Sequence, residues 1–220
     1  MSQYATKPYR FGDDLPLDVV QPGTNLLVAG PAMSGAREVA LRLVTDGNDR
    51  GEGMVFVTTN KTGEKLLDQC DRLCDGLSRS RYGVVDCVGT QPERDSSDDR
   101  VATVSNPSDL TGIGIEFSGL YRTVHRDAGE RVRAGLYSLS TLLMYAEFRT
   151  VSRFVHTLGG RIGSTGGLGV FLIDPATQDE RVISTIAQFC DARVDVRQAD
   201  GATELRVRGL DDHSQEWATL

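Results

Sequence analysis

Asn25-Leu26-Leu27-Val28-Ala29-Gly30-Pro31-Ala32-Met33-Ser34-Gly35-Ala36-Arg37-Glu38-Val39-Ala40-Leu41-Arg42-Leu43-Val44 is the stretch around which the rest of the chain is organised. Residues 25–29 form a short apolar run of the kind buried in a sheet, and residues 36–44 read as a helix. A strand that passes through a tight glycine-bounded turn directly into a helix is the opening unit of an α/β fold.

The turn has its own chemistry. Gly30 to Gly35 matches the first six positions of the phosphate-binding loop G-x-x-x-x-G-K-[ST], in the strand-loop-helix setting that motif requires. In a working loop the backbone N–H groups cradle the phosphates, the Lys neutralises the terminal ones and the Ser or Thr hydroxyl holds magnesium. Here those last two positions are Ala36 and Arg37. The cradle of Gly30, Pro31, Ala32, Met33, Ser34 and Gly35 can survive this, but the cation and the magnesium ligand are gone. Arg37 is a poor substitute for the Lys, since one step along a helix turns the side chain by about 100°. The alternative is that Gly30 and Gly35 only make a tight connection.

Working outward, Met54 to Thr58, Tyr82 to Asp86 and Val170 to Asp174 read as further buried strands, with a central strand and its following turn between Ala134 and Tyr145. Helices are expected after Thr62 as N-cap, with Leu66, Cys70, Leu73, Cys74 and Leu77 on one face, and after Pro107-Ser108-Asp109. Another begins at Phe148 and runs to Leu158, and a last one follows Thr177. Glycines 159, 160, 163, 166, 167 and 169 read as a flexible connection, residues 89–100 as a mobile polar loop, and Arg126 to Arg133 as a charged closing segment. Strict alternation on both sides of Asp200-Gly201 is a hairpin signal. The fold class that follows is α/β, a mainly parallel central sheet with helices on both faces and a C-terminal antiparallel hairpin. We divide the chain into a lead-in (1–22), one domain (23–210) and a tail (211–220).

Charge and composition narrow the function. The net charge of −7 over 220 residues leaves no basic stripe for nucleic acid, so direct nucleic-acid binding is not expected. No apolar run is long enough to span a bilayer, and no export signal opens the chain, which predicts a cytoplasmic protein. Lys7, Lys61 and Lys65 are its only lysines, and Asp outnumbers Glu about two to one. An Asp-rich, Lys-poor surface suits a cytoplasm of high salt, where screening removes self-repulsion. Cys70, Cys74, Cys87 and Cys190 lack a CxxC or supporting His spacing and read as buried small hydrophobes; no metal site is expected. His125, His156 and His213 offer no catalytic triad.

The order of elements, the loop on the first strand and the terminal hairpin resemble the RecA superfamily and, within it, the KaiC-like proteins. Gln21 to Gly30 looks like that family's entry to its loop, Leu136-Tyr137-Ser138-Leu139-Ser140 like its Asp-Ser-Leu-Ser strand, and Leu205-Arg206-Val207-Arg208-Gly209 like its closing Lys-x-Arg-Gly strand. Together with Ser140 to Tyr145 and Leu172-Ile173-Asp174, the pattern is similar to uncharacterised RecA-superfamily proteins of halophilic archaea. The resemblance implies an ATP- and magnesium-binding site, but its functional positions carry other residues. The catalytic Glu pair falls on Thr59-Asn60 or Asn60-Lys61, and the magnesium-side Asp on Tyr137. No catalytic residue is therefore assigned and no cofactor is expected. The expected function is that of a non-hydrolysing regulatory or protein-interaction module, with a protein partner or its own copies. The alternative is an ATP-binding protein with slow or partner-dependent hydrolysis, using Asp174 on the magnesium side. Asp174 before Pro175 also reads as a cap or turn residue, and Asp86 ends a similar apolar strand. By resemblance Arg206 and Arg208 are candidates to reach a neighbouring subunit's nucleotide; alternation on an edge strand is the other reading.

Overall fold

The computed structural model describes residues 7–12, 15–74, 76–88, 99–129, 131–211 and 213–220. The lead-in folds back on itself as a small ribbon, β1 (Tyr9–Arg10) against β2 (Val19–Val20). Then come β3 (Asn25–Ala29), α1 (Ala36–Thr45), β4 (Gly53–Thr58), α2 (Gly63–Asp71), β5 (Tyr82–Asp86) and β6 (Val101–Thr103). The second half holds α3 (Leu110–Asp127), β7 (Val132–Tyr137), α4 (Leu139–Tyr145), α5 (Phe148–Ser164), β8 (Leu168–Ile173) and α6 (Glu180–Ala187). It closes with β9 (Ala192–Ala199), β10 (Ala202–Arg208) and β11 (Ala218–Thr219).

One nine-stranded sheet runs in the order β11-β10-β9-β3-β8-β7-β4-β5-β6. From β9 across to β6 every neighbouring pair is parallel, and only β10 and β11 run against their neighbours. The inner strands β3, β4, β7 and β8 are buried at every residue, as the near-continuous apolar runs require of strands covered on both faces. On one face α1, α2 and the lead-in residues Tyr9, Phe11 and Leu17 pack into a first core. On the other, α3 to α6 form a second core with the stripe Leu110, Ile113, Phe117, Leu120, Tyr121 and Val124.

Local signals fix most element ends. The Thr62 hydroxyl accepts from Lys65 N at 3.4 Å, as expected of the N-cap, and at the start of α3 the Asp109 carboxylate caps by accepting from Gly112 N at 2.8 Å. Asp200 (φ 51°) and Gly201 (φ 82°) give the pair of positive φ values that a two-residue hairpin turn needs.

Four readings change. The run after β7 is not a turn: Leu139, Ser140 and Leu142 are buried on a helix of their own, α4. Gly159, Gly160 and Gly163 lie inside α5, which runs to Ser164; the Cβ-less Gly159 packs α5 closely over Asn25, where an added Cβ would sit 3.4 Å from its side chain. Helix α2 ends at Asp71, so Leu73, Cys74 and Leu77 pack from the turn beyond it. Arg133 does not close a charged surface segment but is fully buried in β7. Residues 89–98 of the polar loop lie outside the described residues.

Arg133 explains how the lead-in is held. Its Nε donates to Glu52 Oε2 at 2.6 Å, and its other nitrogens donate to the carbonyls of Leu43 (2.9 Å) and Arg10 (2.7 Å). Arg131 donates to Glu52 Oε1 at 2.7 Å and to the Lys7 carbonyl at 2.6 Å, with its guanidinium 4.2 Å from the centre of the Tyr9 ring. Every buried charge here has an opposite charge or a carbonyl, which is the condition for burying it at all.

Candidate functional site

Parallel sheets gather their loops at the carboxyl ends of the strands, and here four such ends converge. They are the loop after β3, Thr59 to Lys61 after β4, Ser138 to Thr141 after β7 and Asp174 after β8. The strand β8 lies beside β3, with Ile173 opposite Ala29, so Asp174 is brought level with the start of the loop. Residues from all four ends line a mostly apolar cavity of about 690 Å³, among them Ala36, Arg37, Asn60, Lys61, Ser140 and Asp174.

The loop keeps its shape. Gly35 has φ +86°, and a Cβ there would lie 2.6 Å from the Thr203 hydroxyl; a Cβ on Gly30 would lie 2.7 Å from that of Ala36. Its backbone donors, however, are partly engaged from within the chain. Asp174 Oδ2 accepts from Ala32 N at 3.0 Å while Oδ1 accepts from Ala176 N at 2.9 Å, and Ser140 Oγ accepts from Asp174 N at 2.8 Å. Ser34 Oγ accepts from Ala36 N at 3.3 Å. Asp174 thus acts as a cap on its own turn and as a tether for the loop.

The positions that would serve a metal and a triphosphate are filled by other chemistry. Ala36 is buried and carries no charge. The Arg37 guanidinium is held by Asn60 Oδ1 (2.8 Å) and Gln69 Oε1 (3.3 Å) and lies 5.9 Å from the centre of the Tyr137 ring; burial lowers its pKa. Tyr137, at the end of β7, is wholly buried beneath α1, its hydroxyl donating to the Ala40 carbonyl at 2.9 Å and its ring centre 6.2 Å from that of Phe56. Burial raises its pKa well above the usual tyrosine value, so it stays neutral and offers no anion to a cation. Thr59 Oγ1 accepts from Ser138 N at 2.8 Å and is a crosslink between strand ends, not a base. These residues do not fit a bound magnesium ion.

Other candidates fall elsewhere. Asp86 accepts from Gly63 N at 2.7 Å and Val88 N at 2.8 Å, capping α2, and its strand is separated from β3 by β4, β7 and β8. Arg206 and Arg208 turn to Asp195 in the same hairpin, at 3.3 and 2.6 Å, and Arg206 also lies 4.6 Å from the centre of the Trp217 ring. Cys70, Cys74 and Cys87 are buried, and burial pushes the Cys70 and Cys87 thiols up to about 12. Among the described residues no helix is long and apolar enough to cross a membrane. Sequence reasoning missed Ser140, Gln69 and Arg72; Gln69 and Arg72, a helical turn apart, carried only the pattern of a solvated face.

Two solved structures share this fold, a mainly parallel sheet with helices on both faces and a C-terminal antiparallel hairpin. A KaiC-like protein of the hyperthermophilic archaeon Pyrococcus horikoshii OT3 superposes with a TM-score of 0.65 at 13% identity, covering 98% of this chain and 94% of its own. The flagellar accessory protein FlaH of Methanocaldococcus jannaschii gives 0.58 at 13% identity, over 86% and 78% respectively. Residues 23–196 match the family of unknown function DUF7504, and the chain belongs to that family. No curated protein matches it.

Proposed function

We propose that the chain is a RecA/KaiC-like module that does not hydrolyse nucleotide and acts as a regulatory or protein-interaction component, in signal transduction or gene regulation. The observation that carries this reading is Tyr137, a neutral, hydrogen-bonded aromatic side chain packed where the resemblance puts the magnesium-side Asp. The buried Ala36 in place of the loop Lys, and Asn60 bound to Arg37 in place of an acidic base, support it independently. A cytoplasm of high salt is the setting that its acidic, Lys-poor composition favours. The paired state of Arg206 and Arg208 favours self-association that ignores nucleotide.

Purified protein with ATP or GTP and magnesium should release no phosphate above a buffer blank. Release that disappears in Asp174→Asn would overturn the proposal in favour of an ATP-binding protein with slow or partner-dependent activity, a reading that the placement of Asp174 beside the loop favours. Because Gly30 and Gly35 retain the loop's form, Ala36→Lys with Arg37→Thr should create or strengthen magnesium-ATP binding in titration calorimetry. An unchanged isotherm would mean that the loop no longer presents its donors.

A further inference from the structure

Two of the chain's three lysines, Lys61 and Lys65, stand on the stretch that joins β4 to the first turn of α2. They share their surroundings with Arg72 and Arg37: Lys61 and Arg72 line both the main cavity and a second one of about 490 Å³ beside it, which Lys65 also lines. In a chain of net charge −7, this is a local concentration of positive charge. Among the described residues none of the four forms an ion pair. Of the carboxylates that face these cavities, none forms an ion pair with the four. Glu38 pairs with Arg42 at 3.0 Å, Asp174 is bonded to the backbone, and Asp68 makes no ion pair with Lys65.

Four cations held together repel one another, and the charge left over is available to a ligand. The strain is visible at Lys61, whose pKa is lowered by burial and then by Arg37, Lys65 and Arg72. The identity of the cluster matters as much as its charge. By resemblance the place of an acidic pair falls on Thr59-Asn60 or Asn60-Lys61, and that of a magnesium-holding hydroxyl on Arg37; under either placement no carboxylate stands there. Arg37 is oriented by Asn60 and Gln69, neutral side chains that position a guanidinium without cancelling it.

We propose that Arg37, Lys61, Lys65 and Arg72 form a binding site for a phosphate-bearing anion, a free diphosphate or the phosphate tail of a nucleotide, taken up without a divalent metal. The inference rests on the reading that the site has lost magnesium. It supplies what that reading leaves open, a ligand through which a non-hydrolysing module is regulated. The protein's own cations do the neutralising, and the apolar part of the main cavity, with Leu41, Leu73 and Leu172, accommodates an uncharged portion of the ligand. Magnesium should oppose binding, because it cancels ligand charge and finds no carboxylate at position 37 or 137, the one hydroxyl there, on Tyr137, being committed to the Ala40 carbonyl.

The test is calorimetric titration of the full chain with pyrophosphate and with ATP, each in EDTA and again in excess magnesium, at the lowest salt that keeps the protein folded. Binding of either ligand in EDTA, weakened by magnesium, is the expected result; the two arms tell free diphosphate from nucleotide. Lys61→Ala with Lys65→Ala should weaken it by about tenfold or more, since each charge-assisted contact is worth about that factor. Arg149→Ala, on α5 across the sheet, should leave it unchanged. No heat with either ligand would overturn the proposal, as would binding strengthened by magnesium. Displacement of the anion by a short oligonucleotide at lower concentration than ATP would also overturn it, marking a nucleic-acid surface instead. If magnesium strengthens binding and phosphate is also released, the non-hydrolysing reading fails as well; if no phosphate is released, only the metal-free site fails.

Discussion

Glu52→Ala should destabilise the protein by about 3–5 kcal/mol, the cost of leaving a buried charge without its partner. Glu52 is 4% exposed and Arg133 not at all, so the abandoned guanidinium would be shielded from bulk solvent. Asp46, 3.6 Å away, is the only other carboxylate paired with Arg133 among the described residues, and its Oδ2 already receives Arg50 at 3.1 Å. The same change frees Arg131, which ties Lys7 and Pro8 to the body of the fold. Chemical denaturation should therefore show a lower midpoint, and limited proteolysis should find the lead-in more readily cut. Replacing both partners with apolar residues, Glu52→Leu with Arg133→Met, should recover much of the loss, because the penalty lies in the unpaired charge rather than in the missing bridge. Equal stability of wild type and Glu52→Ala would show that the network contributes nothing net.

Tyr137→Asp, which writes the family's acidic residue back into the chain, is expected to cost a similar amount. Truncating a buried aromatic ring costs about 3–5 kcal/mol through lost burial and the cavity left behind. The new carboxylate would also be buried, with Arg37 near the ring's position but Phe56 packed against it. Tyr137→Phe keeps the ring and loses only the bond to the Ala40 carbonyl, so it should cost about 1 kcal/mol. Urea titrations of the two variants separate these contributions. If Tyr137→Asp were as stable as wild type, the pocket would have room for the carboxylate and its water, and the argument against a metal there would fall.

The strands and the loop were legible because burial on both faces writes itself as short unbroken apolar runs, as in Leu26 to Ala29 and Met54 to Val57. The caps at Thr62 and Asp109 and the turn at Asp200-Gly201 were legible because each depends on residues within three positions of one another. Arg133 was not. Its partner is 81 positions away, and nothing local marks a strand arginine as paired. The glycines of α5 misled because their propensity argues against a helix, while the close approach at Gly159, over Asn25, and at Gly163, against the Gly23 carbonyl, is tertiary. At the candidate site, resemblance located Ala36, Arg37, Tyr137 and the Asn60-Lys61 segment one by one. The cavity that Ala36, Arg37, Asn60 and Lys61 share emerges only when β8 is inserted beside β3, which also brings Asp174 to Ala32. The scarcity of lysine was plain from the sequence; that two of the three gather with Arg37 and Arg72 was not.

The hydrogen bond from Ala32 to Asp174 also bears on how a signal could leave this corner of the molecule. A switch needs two arrangements of comparable free energy, and many nucleotide-dependent proteins obtain them from a segment that orders when occupied and loosens when empty. Here the segment is fastened without any visitor, by a carboxylate on one side and by the close fit of Gly35 against Thr203 on the other. An arriving anion would thus find the seat already made and would alter the sign of the surface around Lys61 more than its contour. What a neighbouring protein would read is a change of potential, felt over a few ångströms to a nanometre and fading as salt rises.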